Sequence, residues 1–251
     1  MIKVKEYNNE FEVLQKINMM NEDELKQYRL RNKEHNEKIQ RRTVRNFISE
    51  TIKRCIDILA GLIGTIILIP LTILVWIMNK INKEEGPIFY DQLRIGKNGK
   101  IFKLYKFRSM VVGADSILQE YLEKHPKEAE EYAKNKKLKN DPRITKTGKI
   151  LRKTSLDEWP QFVSILTSNM SLVGPRPYLP KEREDMGEYY EYIIKVKPGL
   201  TGPWQVAGRS NLTFEDRLKL DEEYASRCGN KRDISIILKT IERVLKKEGA
   251  I

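Results

Sequence analysis

The run IDILAGLIGTIILIPLTILVWIM, residues 56–78, is the one long apolar stretch of the chain. As a helix it is long enough to span a bilayer. Three features argue against a plain span. Asp57 stands at its start. Pro70 lies in its interior, where a missing N–H and a bulky ring break or kink a helix. Both flanks are basic: Arg41, Arg42, Arg45, Lys53 and Arg54 precede it, and Lys80 and Lys83 follow. Positive flanks favour the cytoplasmic side, so both ends ask for the same side. A re-entrant helix that bends at Pro70 and leaves by the face it entered meets all three conditions. A single-pass helix kinked at Pro70 is the alternative. Nothing elsewhere is apolar enough to surround the segment as the core of a soluble protein.

Outward from this segment the chain is polar. Its 251 residues carry a net charge of +12, which calls for an acidic partner: nucleic acid, anionic lipid or a phosphorylated substrate. Two cysteines, Cys55 and Cys228, make no disulfide framework and point to a reducing compartment. No His/Cys cluster has zinc spacing. Residues 1–46 form a charged N-terminal arm, whose helix-favouring part over residues 21–40 reads as a solvated helix or a partly disordered arm. A polar, acidic stretch fills the place of a signal-peptide hydrophobic region.

On the other side, residues 86–110 predict two short strands around the turn Lys97-Asn98-Gly99. Phe102, Lys103, Tyr105, Lys106, Phe107 and Arg108 interleave aromatic and basic side chains. That pattern suits single-stranded nucleic acid, a nucleotide phosphate, or a half-buried strand. Residues 114–138 predict a solvated helix pair, and Asn140-Asp141-Pro142-Arg143 a turn.

Residues 151–177, LRKTSLDEWPQFVSILTSNMSLVGPRP, hold the adjacent carboxylates Asp157 and Glu158, with Arg152 before them and a Gly-Pro-Arg-Pro turn after. The structural reading makes Asp157 a helix N-cap and Glu158 a first-turn acid before Pro160. Ser155 and Glu158 also have capping-box spacing. An acidic helix is predicted over residues 181–195. Residues 197–211, KPGLTGPWQVAGRSN, read as a shaped loop without regular structure. Amphipathic helices are predicted over residues 214–225 and 234–245; Ile236, Ile237, Thr240, Ile241 and Val244 share one face of the second. That face suits core packing or an anionic membrane surface.

Several of these stretches together resemble one family. KRCIDI, the proline within the apolar run, DQLRIGKNGKIFKLYKFRSM, LRKTSLDEWPQ, MSLVGPRPYLP and KPGLTGPWQVAGRSN occur in the order of the monotopic phosphoglycosyl transferases, the bacterial sugar transferases. The resemblance covers residues 53–249. It departs at the membrane bend, where Ile69-Pro70 stands for the family's usual Ser-Pro, and the chain resembles the small form without four extra N-terminal membrane helices.

The resemblance implies an α+β, mainly helical, monotopic membrane protein. Residues 1–46 would be the arm and 47–84 the Pro-broken re-entrant helix with its flanks. Residues 85–251 would be a cytoplasmic catalytic domain with a small β-hairpin and amphipathic interfacial helices. It implies Mg²⁺-dependent transfer of a sugar-1-phosphate, galactose-1-phosphate first, from a UDP-sugar to polyprenyl phosphate at the bacterial inner membrane. Glucose-1-phosphate and N-acetylated sugars are the alternatives. Asp157 matches the family nucleophile, and Glu158 the neighbouring acid that binds metal and handles protons. The basic positions fall on Lys106, Arg108, Arg152, Arg176 and Arg209, and a further acid on Asp233. The residues independently suit this chemistry: a carboxylate attacking a pyrophosphate needs cations to offset the charge, and hard oxygen ligands suit Mg²⁺. The expected partners are UDP-sugar, polyprenyl phosphate and anionic lipid, with no nucleic acid; a homodimer or other glycan-assembly enzymes are the protein partners left open. A membrane-anchored nucleic-acid-binding protein and a silent scaffold are the competing readings.

Overall fold

The computed structural model describes residues 22–135, 138, 140–208 and 212–246. Residues 1–21 of the predicted arm and Arg209 lie outside the described residues. Contacts divide the chain into two units, residues 1–51 and 52–251. In the first, the described part belongs to helix α1, Glu22–Asn82.

In the second unit α1 continues through the apolar run. It carries on through Pro70 rather than ending there, so the expected break into two helices is not seen. Proline removes one i→i−4 bond, and a helix seated on both sides of that position keeps the rest. The seat is one face of the helix. Asp57, Gly61, Gly64 and Val75 are buried along it, with Leu68 and Leu71 half-buried, a spacing of three and four that repeats down one side. The other faces present Leu59, Leu62, Ile66, Ile69, Ile73 and Trp76 to the surroundings. Only 17% of the most apolar window is buried, which is the exposure of a lipid-facing helix and not of a core helix. The protein is membrane-associated.

Asp57 does not face lipid. Its Oδ1 accepts hydrogen bonds from Ser171 Oγ at 3.0 Å and the Leu172 backbone N–H at 2.7 Å. Lys53 Nζ donates to the Val173 carbonyl and pairs with Asp233 at 2.6 Å. Arg54 donates to the carbonyls of Ile165 and Leu166. The charged residues at the head of the apolar run therefore dock it onto the rest of the second unit.

The hairpin is present: β1, Phe89–Ile95, pairs antiparallel with β2, Ile101–Phe107, from Phe89↔Phe107 to Ile95↔Ile101. Asn98 and Gly99 take positive φ in the turn, as the Asn-Gly pair requires. Phe102, Leu104 and Phe107 are buried, so the interleaved aromatics build a core and two of them are closed to base stacking. Helices α2, Ala114–Lys124, and α3, Pro126–Asn135, are the predicted pair. The turn at residues 140–143 closes on a buried pair in which Asp141 accepts the Arg143 N–H and guanidinium.

Helix α4, Lys146–Thr154, starts where Thr145 Oγ1 accepts the Gly148 N–H. Helix α5, Gln161–Leu166, follows the dyad. Strand β3, Ser171–Val173, pairs in parallel with β4, Gly199–Thr201. The acidic helix predicted over residues 181–195 is reduced to α6, Tyr189–Ile193, after a 3₁₀ turn at Pro180–Glu182. Residues 197–208 are more regular than expected, holding β4 and helix α7, Pro203–Ala207, because Gly174 and Gly199 allow two backbones to meet where a Cβ would collide. Helix α8, Phe214–Ser226, opens on a Thr213–Asp216 capping box. Helix α9, Asn230–Leu245, buries Asp233 and Ile236. Ile241, expected on that inner face, instead joins Ile234 and Leu238 in an exposed stripe.

Candidate active site

The dyad sits in a 3₁₀ turn, Leu156–Glu158, between α4 and α5. Ser155 ends α4 in the left-handed conformation, φ 56°, and this reversal folds the turn back beside the last turn of α4. The capping readings do not hold. Pro160 occupies the N-cap of α5 with no side-chain cap bond, and Ser155, which closes α4 and precedes the 3₁₀ turn, makes no side-chain cap bond either.

Helix α4 lies directly on the exit of β2, where a Cβ on Gly148 would strike the Ser109 carbonyl. That close approach lets Arg152 Nε donate to Ser109 Oγ at 3.0 Å. Lys106 falls on the inward row of β2 with Phe102 and Leu104, and its Nζ donates to Glu158 Oε1 at 2.7 Å. Arg108 lies over the Tyr90 ring and donates to the Pro87 carbonyl. All of them line one cleft of about 1370 Å³.

The opposite wall is built on the Gly174–Pro177 turn. The Arg176 backbone N–H and the Tyr178 hydroxyl both donate to Asp221 Oδ2, each at 2.9 Å. The guanidiniums of Arg176 and Arg217 lie over Trp204, 5.4 and 5.6 Å from its ring centroid. Arg94 donates to the Pro177 carbonyl and to Gln92. Among the described residues Arg94, Arg176 and Arg217 form no ion pair, and the Nε atoms of Arg94 and Arg176 are buried without a partner. Three guanidiniums gathered with no carboxylate in direct contact leave donors that an anion would satisfy. Burial and Arg176 hold Arg94 down to about 10.

The two carboxyls are pushed apart. Burial, then the Glu158 charge, raises Asp157 to about 6, against the pull of Lys106 and Arg152. Burial also raises Glu158, but the Lys106 ion pair and hydrogen bond, with Arg176 and Arg94, outweigh it and hold Glu158 below its usual range. At neutral pH both are mainly ionised, with Asp157 the less stabilised and hence the more basic.

The predicted residues Lys106, Arg108, Arg152, Asp157, Glu158 and Arg176 thus share one cleft. Asp233 is elsewhere: it is 5% exposed, is not part of the cleft lining, and holds Lys53 and the Tyr224 hydroxyl, each at 2.6 Å. Its role in the structure is to dock α1. Arg94, Trp204, Arg217 and Asp221 are in or behind the site and escaped the sequence reading. Arg94 and Trp204 lay within quoted motifs, but only the β1–β2 register and the parallel pairing of β3 with β4 show where they point.

Among the described residues no group of three or more His, Cys, Asp or Glu side chains could hold a metal alone. The adjacent Asp157 and Glu158 fit a Mg²⁺ that takes one or two carboxylates and completes its shell from substrate phosphate and water.

Arg152→Lys keeps the charge but loses the planar fork. Turnover is expected to fall by about 10²-fold while the melting temperature stays within about two degrees. Near-normal turnover would reduce Arg152 to a support for Ser109.

The bacterial sugar transferase family model matches residues 48–247. The chain is 43% identical over 202 residues to an undecaprenyl-phosphate galactose phosphotransferase of Salmonella typhimurium, covering 80% of this chain and 42% of that protein. It is 41% identical over 202 residues to a UDP-galactose-lipid carrier transferase of Erwinia amylovora, with 80% and 42% covered. It is 40% identical over 198 residues to the exopolysaccharide production protein ExoY of Sinorhizobium fredii, with 79% and 87% covered. It therefore spans less than half the length of the first two relatives. A dyad set in a cation-walled cleft beside a lipid-facing helix and a family match over four-fifths of the residues lead to one conclusion: the chain belongs to the bacterial sugar transferase family.

Proposed function

We propose that this protein transfers a sugar-1-phosphate, galactose-1-phosphate first, from a UDP-sugar to polyprenyl phosphate and releases UMP. The observation that carries the reading is the Asp157–Glu158 pair at the base of a cleft walled by unpaired guanidiniums. That cleft adjoins a helix whose outer faces are apolar. The cations suit the pyrophosphate of the donor, and the helix keeps the site at the membrane face where the head of a lipid phosphate lies. The galactose preference rests on the names of the Salmonella and Erwinia relatives.

In the first step an Asp157 carboxylate oxygen attacks the sugar-bearing phosphorus and the bond to the UMP oxygen breaks. In the second, a phosphate oxygen of the lipid attacks that phosphorus, the Asp157 O–P bond breaks, and the carboxylate returns. When the lipid phosphate enters as the monoanion, Glu158 relays its proton to bulk water, so both carboxylates are regenerated. Lys106, Arg94, Arg152 and Arg176 offset the charge that gathers on the phosphoryl oxygens. Mg²⁺ held by Asp157 and Glu158 would supply further neutralisation of the pyrophosphate.

The test is UMP release from UDP-galactose, UDP-glucose and UDP-N-acetylglucosamine with Mg²⁺ and polyprenyl phosphate. Release with UDP-galactose above the others supports the full reading. Preference for another sugar corrects only the sugar, and no release with any donor overturns the activity.

The same reading includes a re-entrant path for residues 47–84, with residues 46 and 84 on the cytoplasmic side of the inner membrane. Basic flanks at both ends and an exposed Pro70 support it, as does the exposed Ile234–Leu238–Ile241 stripe as an interfacial surface. Cysteines introduced at both ends should stay unlabelled by an impermeant reagent in intact cells. Pro70→Leu restores the missing bond and should make the N-terminal end externally reactive in part of the population. External labelling of the wild-type N-terminal end would establish a single pass instead.

A further inference from the structure

We propose that Trp159 is a positioning residue that ties the catalytic turn to the apolar helix and so sets the reach of Asp157 and Glu158 toward the lipid acceptor. The inference rests on the polyprenyl phosphate reading above. Trp159 follows Glu158 directly, and its backbone N–H closes the dyad turn on the Leu156 carbonyl at 3.1 Å. Its indole Nε1 leaves that turn and donates to the Gly64 carbonyl of α1 at 2.8 Å. Its ring packs beside the Phe107–Leu151–Val75 cluster with Leu68 and Leu71 of the same helix.

The seam is built for contact on both sides. Gly64 is buried, and a Cβ there would run into the Phe162 ring. Phe162 in turn lies against Trp159, with ring centroids 5.2 Å apart. Gly61 meets the Leu166 backbone one turn earlier. Glycines at both positions bring the α1 backbone within hydrogen-bond range of the indole. A Trp N–H in such a place normally finds a partner, and here the partner belongs to the segment that lipid surrounds.

The chemistry gives this tie a direction. The donor is water-soluble and is gripped by Lys106, Arg94, Arg152 and Arg176, none of which belongs to α1. The acceptor phosphate is carried on a chain dissolved in the bilayer, so its height is set by the membrane, and α1 is the part of the protein the membrane positions. A dyad loosely seated on α1 would still meet the donor but would miss the acceptor in most encounters; displacements near 1 Å can cost about 10²-fold in rate.

The experiment uses the full chain in lipid nanodiscs with polyprenyl phosphate and the nucleotide sugar that wild type turns over fastest. Trp159→Phe keeps an aromatic ring and removes the N–H. We expect kcat/KM for polyprenyl phosphate to fall about tenfold. kcat/KM for the nucleotide sugar, and UMP release without acceptor, should change by less than about twofold. Gly64→Ala opens the same seam from the other side without touching the indole nitrogen and should give the same one-sided loss. It carries the test alone should Trp159→Phe fail to fold. Equal losses for both substrates would make Trp159 a general structural residue and overturn the proposal, as would no loss for either. Wild type separates this outcome from failure of the underlying reading. Should it transfer nothing to polyprenyl phosphate, the acceptor is wrong. Should its initial-rate lines intersect with no UMP released before acceptor is added, the two-step mechanism is wrong while the ratio for Trp159→Phe still reports on the tie.

Discussion

Enzyme given UDP-sugar and Mg²⁺ without polyprenyl phosphate is expected to gain the mass of one hexose phosphate on Asp157 and to release a stoichiometric amount of UMP; Asp157→Asn should do neither. The dyad turn holds no histidine or cysteine; its serine, Ser155, closes α4 through its backbone N–H and has no histidine beside it in the motif to activate its hydroxyl. A carboxylate is the nucleophile at hand. Asp157 is the better of the two because its charge is the less stabilised, raised to about 6 by burial and by Glu158, whereas Glu158 is committed to Lys106. Turnover of Asp157→Asn should fall by at least about 10³-fold. Stability should move the other way. The folded state holds the Asp157 proton more tightly than the unfolded chain, so this group favours folding at low pH and the benefit is lost as pH rises through about 6. Asp157→Asn should therefore melt higher than wild type at pH 8, and the two should converge near pH 4. A direct transfer in a ternary complex predicts no adduct and no UMP until acceptor arrives. Intact-protein mass spectrometry with peptide mapping decides between them, provided that UMP is measured in the same sample to expose a rapidly hydrolysed acyl phosphate.

The cleft shows which parts of such a site can be read from sequence. Asp157, Glu158 and Arg152 lie within seven residues of one another, so local geometry brings them together in almost any fold. Lys106 and Arg176 came through resemblance of whole motifs, and the structure supplies their physical basis in an ion pair and an anion-hungry wall. The hairpin was legible because Asn98-Gly99 demands a specific backbone and the flanking strands alternate. What stayed hidden depended on long-range contacts. Asp57 looked like a charge at the edge of a membrane segment, yet it is 3% exposed and capped by Ser171 and Leu172, more than a hundred residues away. Asp233 looked like an active-site acid and proved to be the partner of Lys53. Arg217 and Asp221 sat in an ordinary amphipathic helix, where nothing local separates a solvated charge from one turned inward. The short parallel pairing of β3 with β4 joins segments so rich in glycine and proline that propensity favours loop, and the glycines that suggested disorder of form are what let the two strands meet.

Lys106→Met should lower kcat by about 10²-fold and move the acid limb of the pH–rate profile to higher pH. Lys106 is the largest influence drawing the Glu158 pKa down against burial, and it also opposes the rise of Asp157. Without it, two adjacent carboxylates must share a half-buried turn with less positive charge beside them. Both then hold their protons to higher pH, the pair titrates together, and the state with both ionised appears later in the titration. With ionised Asp157 as the proposed nucleophile, the pH at which the rate reaches half its plateau should rise by about one unit or more, with the plateau itself lowered because the phosphoryl charge has lost one cation. Lys106→Arg restores the charge and should recover the position of the limb even where turnover is incomplete. Stability offers a second readout. Glu158 ionises more readily in the folded protein than in the unfolded chain, so its ion pair favours folding above the ordinary carboxylate range and loses that effect as pH falls through it. Wild type should then be more stable than Lys106→Met at pH 7, with the gap closing toward pH 3. The contact is a third exposed on both sides, 28% for Lys106 and 36% for Glu158, and an ordinary surface ion pair of that exposure is worth little. A variant with a near-normal rate and an unshifted acid limb would place Lys106 in that ordinary class and leave the separation of the two carboxyls to burial and Arg176 alone.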